Sequence, residues 1–173
     1  MMQMLEAGGL NILTDNVRSK DEHNPRGYNE YEAVKRLGME GDWINEARGK
    51  VLKVVSPLLR YLPASEKYRI IRMNRPLTEV VISQRVMQGE DRKAVMKNFP
   101  FQHAANLQKE DEQTGIWLEQ QPNITTLEVD YHDCLEQPAE IMEKVAAFLK
   151  RNIAVENAVE KVDPKLYRNM LGK

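Results

Sequence analysis

Residues 68–85 read Y-R-I-I-R-M-N-R-P-L-T-E-V-V-I-S-Q-R. The first seven have the composition of a short β-strand, with Ile70 and Ile71 supplying β-branched bulk and Asn74 ending the run. Pro76 suits the first turn of a helix, where a missing N–H leaves no bond unmade. Leu77, Val80, Val81 and Met87 follow at i, i+3, i+4 and i+10, one apolar helical face. A strand feeding directly into a helix aims free backbone N–H groups and the positive end of the helix dipole at one point, and anions bind there. Arg75 at the mouth and Ser83 further along would clasp one phosphate if the long arginine spans the rise of about 12 Å between them. The same residues also fit a solvated arginine and a helix serine bonded back to a carbonyl.

The spacing R-x-x-x-[DE]-x-x-x-S after a strand resembles the 3′-phosphate-binding motif of sulfotransferases, with Arg75, Glu79 and Ser83 at its arginine, acidic and serine positions. Pro76 stands one place earlier than the usual proline of that family. The resemblance implies that Arg75 and Ser83 hold the 3′-phosphate of the co-substrate 3′-phosphoadenosine 5′-phosphosulfate. Residues 123–149, N-I-T-T-L-E-V-D-Y-H-D-C-L-E-Q-P-A-E-I-M-E-K-V-A-A-F-L, carry a second likeness. Ile124, Leu127, Val129 and Tyr131 make a strand, and Pro138, Ile141, Met142, Val145, Phe148 and Leu149 make a helical stripe. That order is similar to the sulfotransferase C-terminal segment, a strand ending in Y-x-D-L and a helix after proline that closes with F-L. Here Tyr131, Asp133, Leu135, Pro138, Phe148 and Leu149 match, with Cys134 as one extra residue. Tyr131 and Phe148 suit core positions, and Asp133 suits an N-cap or turn acceptor.

Working outward, residues 1–7 read as the end of a helix that Gly8 and Gly9 terminate, too short to be stable unless it continues upstream or packs hard. Asn24-Pro25-Arg26-Gly27 reads as a turn, and residues 31–37 as helical. Residues 50–56 read as a strand buried enough to be central in a parallel sheet. Residues 101–120 make a polar helix anchored by Ala104, Leu107 and Trp117. The expectation is an α/β single domain over residues 1–173. Strands 50–56, 68–74 and 123–131 share one mostly parallel sheet, with helices 78–95 and 136–150 packed on it. The resemblance makes this a three-layer sandwich of P-loop NTPase-like, sulfotransferase type. That family's first strand leads into a loop such as P-[KR]-S-G-[TS] that cradles the 5′-phosphosulfate. No such loop, nor G-x-x-x-x-G-K, occurs in the 173 residues, so the chain reads as an N-terminally truncated member lacking the first strand and donor loop.

Sulfuryl transfer to a hydroxyl or amine needs a base and cations. Residues 24–32, N-P-R-G-Y-N-E-Y-E, resemble the N-P-x-G-[YF]-x-E element of bacterial-type sulfotransferases, and Glu30 at its glutamate position is the first candidate base. It also fits a solvated loop glutamate. Lys53 lies among Val51, Val54 and Val55 and must snorkel or meet an anion. It could match the lysine that cytosolic sulfotransferases carry on this strand, although their histidine base has no counterpart here. Arg168, after Asp163-Pro164, stands in the region where the family makes further 3′-phosphate contacts.

The formal net charge of −1 argues against a nucleic-acid partner held by bulk electrostatics. No apolar run has the length of a membrane span and no leader pattern precedes the chain, so the sequence reads as that of a cytoplasmic protein without a membrane partner. Cys134, the single cysteine, fits a reducing compartment and an unreactive turn position. His23, His103 and His132 are scattered, so no metal is expected. The partners implied are a small-molecule, glycan or peptide acceptor, and a second copy of the chain through an exposed sheet edge. Two alternatives stand beside the sulfotransferase reading: a non-catalytic remnant or scaffold of the same fold, and a nucleotide-dependent kinase-like domain, which the lack of a phosphate loop disfavours.

Overall fold

The structure, a computed structural model, describes residues 1–15, 17–21, 24–39 and 42–163. Two strands, β1 (Tyr68–Asn74) and β2 (Ile124–Asp130), pair in parallel with Tyr68 opposite Ile124 and Asn74 opposite Asp130. Between them run helices α2 (Leu77–Met87), α3 (Arg92–Lys97) and α4 (Phe101–Glu119). After β2 come α5 (Tyr131–Glu136), α6 (Pro138–Leu149) and α7 (Val155–Val159), and α1 (Met2–Ala7) opens the chain. The fold is mixed α/β with a small parallel sheet.

Alternation along the strands divides their side chains between two faces. Leu127 and Val129 of β2 and Ile71 of β1 belong to the main core with Ile141, Met142 and Val145 of α6. On the opposite face Arg72 pairs with Glu128 across the strands and with Asp111 of α4. Met4 and Leu5 of α1 join the same core beside Ile153 and Ala158, which is how six helical residues hold together. The approach is close: a Cβ on Gly8 would lie 2.5 Å from Ile153 Cγ2.

Four expected elements are corrected. Residues 50–56 are not a strand of this sheet. Val51 makes a single parallel bridge to Ile12, residues 52–54 have no backbone partner among the described residues, and a short 3₁₀ helix follows (Ser56–Tyr61). Apolar β-branched residues set a preference, but a strand exists only where a neighbour completes its ladder. The helix expected over 78–95 stops at Met87, because Gly89 takes φ +92° and Asp91 caps α3 by accepting from the Ala94 N–H at 3.0 Å. The last strand ends at Asp130 rather than Tyr131. Asp130, not Asp133, is the N-cap of α5, accepting from the His132 N–H at 2.7 Å. The helix expected over 136–150 accordingly begins at Pro138.

Candidate functional site

Both strands deliver side chains to one place at their carboxyl ends. Arg75 follows β1, and Tyr131 and His132 follow β2, which stands directly beside it. Glu79, in the first turn of α2, is only 2% exposed and forms the centre of this cluster. Arg75 Nε donates to Glu79 Oε2 at 3.1 Å, and His132 Nε2 lies 3.5 Å from the same oxygen. The Arg75 guanidinium also sits 4.9 Å from the centre of the Tyr131 ring. A buried carboxylate is tolerable because a cation meets it, and the pair in turn fixes the guanidinium. Burial pushes the Tyr131 phenol above its ordinary value, against the opposing pull of Arg75.

Ser83 is half-buried on α2 and its hydroxyl has no hydrogen-bond partner among the described residues. The back-bonding expected of a helix serine is made instead by Thr114, whose hydroxyl donates to the Glu110 carbonyl at 2.8 Å. No hydrogen bond joins Ser83 to Arg75, whose Nε is directed at Glu79.

A second cluster brings together the two residues proposed for proton and charge handling. Lys53 Nζ lies 3.1 Å from Glu30 Oε1 and donates to the Tyr28 carbonyl at 3.1 Å. Lys53 thus meets an anion instead of reaching out to solvent. Arg18 Nη1 reaches the same Glu30 oxygen at 3.1 Å, with its guanidinium 3.5 Å above the Tyr28 ring. The Tyr28 hydroxyl donates to Asp21 at 2.7 Å. Asn29 adopts φ +49° just before Glu30, and the Glu30 carbonyl accepts from the Thr14 hydroxyl at 2.8 Å. Burial alone would raise the Glu30 carboxyl. The hydrogen bond and charge of Lys53, with the charge of Arg18, outweigh it and hold the group below its ordinary value. Burial and the bond to Asp21 push the Tyr28 phenol up.

Glu30 and Lys53 therefore meet, whereas no hydrogen bond or ion pair between described residues links them to the Arg75 cluster. Arg168 and His23 lie outside the described residues. His103 bonds Gln84 on the helix surface. Cys134 is buried and its thiol is raised by burial, the reverse of an activated nucleophile. Arg18, Asp21 and His132 were not singled out as site residues by the sequence. Only Tyr28, inside the N-P-R-G-Y-N-E element, carried a signal. Among the described residues no group of three His, Cys, Asp or Glu side chains is arranged to hold a metal ion, and no helix is long and apolar enough to cross a membrane. No protein-family model matches the sequence, and neither a curated protein nor a solved structure matches it.

Proposed function

We propose that this chain is a sulfotransferase-type domain that binds the 3′-phosphoadenosine end of 3′-phosphoadenosine 5′-phosphosulfate at the carboxyl ends of β1 and β2. In this reading the sheet belongs to a three-layer, P-loop-like sandwich. The supporting observation is Arg75 at the junction of a parallel strand and a helix whose Ser83 hydroxyl is uncommitted. Arg75 and Ser83 contact the 3′-phosphate, joined by Arg168. Glu79 holds the guanidinium through Nε, so less freedom is lost when the phosphate arrives.

Glu30 and Lys53 take the sulfuryl end. A sulfuryl group arriving at Lys53 competes with Glu30 for the ammonium, and the carboxylate it releases becomes a better base toward the acceptor hydroxyl or amine. The acceptor is a small molecule, a glycan or a peptide. A non-catalytic scaffold of the same fold is the second reading, favoured by the mutual neutralisation of Glu30 and Lys53 and by the lack of a P-x-S-G-T loop in these residues.

Calorimetric titration with adenosine 3′,5′-bisphosphate tests the proposal. Replacing Arg75→Ala should weaken binding by about 1.5–3 kcal/mol, the range for a charge-assisted hydrogen bond. Equal affinity in the two proteins removes Arg75 from the site, and no binding to the parent chain removes the reading altogether.

A further inference from the structure

A cavity of about 370 Å³ lies between the free edge of β1 and residues 49–54. One wall is the edge of β1 that faces away from β2; the other runs from Gly49, at φ +72°, through Val51, which is bonded to Asn11 and Leu13, to residues 52–54. Among the described residues β1 pairs only with β2, so its alternate N–H and C=O groups, about three of each, point into the gap. Residues 52–54 have no backbone hydrogen bond to another described residue. The walls run in the same direction. Arg48 pairs with Glu66 just before β1, while Ser56 adjoins Thr114, whose neighbour Gly115 lies against Arg72. Leu5 and Leu149 close the gap on one face of the sheet, and Leu59 and Leu62 on the other. A slot with ladder groups on both sides and apolar side chains above and below has the chemistry of a missing strand in a parallel sheet, whose residues are apolar on both faces.

The slot has a charged end. Lys50, Lys67, Arg69 and Arg151 stand exposed at its mouth by the start of β1, and none has a carboxylate within ion-pair distance among the described residues, Glu66 being engaged by Arg48. We propose that the slot is a docking site for an extended apolar strand of a separate polypeptide, parallel to β1, with carboxylates at its amino end against these four cations. This is strand addition with both edges of the guest satisfied, and it does not depend on the nucleotide site.

The probe is an acetylated, fluorescein-labelled peptide of two aspartates followed by six valine and isoleucine residues, titrated into the 173-residue chain with hydrogen exchange read in parallel. Saturable binding should slow exchange of the amides of β1 that point away from β2 at least tenfold. N-methylation of alternate peptide nitrogens should abolish binding, and lysines in place of the aspartates should weaken it at least tenfold. The exposed double variant Lys67→Glu/Arg69→Glu, with its circular dichroism unchanged, should lose the preference for the acidic peptide. Equal binding of the N-methylated peptide would mean a groove for any apolar chain and would overturn the proposal. So would unchanged exchange in β1, or concentration-dependent protection of β1 by the chain alone, which would mean a second copy fills the slot.

Discussion

Glu30 is held by two cations at 3.1 Å, and its carboxyl binds a proton less readily than it would in the unfolded chain. The stability this contributes is complete above the ordinary value of 4.5 and is lost as pH falls through the lower folded value. A Lys53→Met variant should therefore be less stable than the parent near neutrality, with the difference shrinking as the solution is acidified below about pH 4. Urea midpoints of both proteins across that range check it. A constant difference would mean that Lys53 acts by packing rather than by charge. Sequence singled out both partners for separate reasons: a glutamate in a polar motif, and a lysine among valines. It did not reveal that each was the other's partner, because residues 23 positions apart meet only through tertiary structure. Arg18 and Asp21, polar residues in a polar stretch, left no pattern to read.

Between residues 77 and 97 the chain makes two helices where apolar spacing suggested one. Val81, Ile82 and Val95 are all buried, so the periodic signal survives the break and conceals it. Local chemistry marks it instead: Gly89 at φ +92° and Asp91 as a cap. These alternatives give opposite signs for one substitution. In a continuous exposed helix, Gly89→Ala would stabilise by about 1 kcal/mol. At a positive φ the added Cβ is strained although no atom lies within 4 Å of it, so we expect a loss of about 1 kcal/mol in denaturant unfolding. The junction after β2 has the same logic. Asp130 bonds the N–H groups of His132 and Asp133, and Asp130→Ala should cost about 0.5–2 kcal/mol. Replacing Asp133, whose own side chain caps nothing here, should cost much less.

For the whole molecule, the segments whose patterns were strongest, β1, β2, α4 and α6, stand where the sequence put them to within a few residues. Residues 50–56 do not, since their strand character depends on a neighbour across the slot beside β1. Turnover depends on a separate element. A 5′-phosphosulfate needs backbone N–H groups and a cation at its bridging oxygen, and the 173 residues contain no loop of the P-x-S-G-T kind. Loss of one preorganised donor costs about 10²–10³ in rate, and here the set is missing. We expect no transfer above background from these 173 residues with labelled 3′-phosphoadenosine 5′-phosphosulfate and a panel of hydroxyl and amine acceptors, while adenosine 3′,5′-bisphosphate still binds through Arg75. The comparison is the same chain carrying an added N-terminal strand and P-x-S-G-T loop, which should gain activity. Equal turnover in the two would show that Glu30, Lys53 and Arg75 suffice without a donor cradle, and the assignment of the phosphosulfate end would have to be redrawn around them.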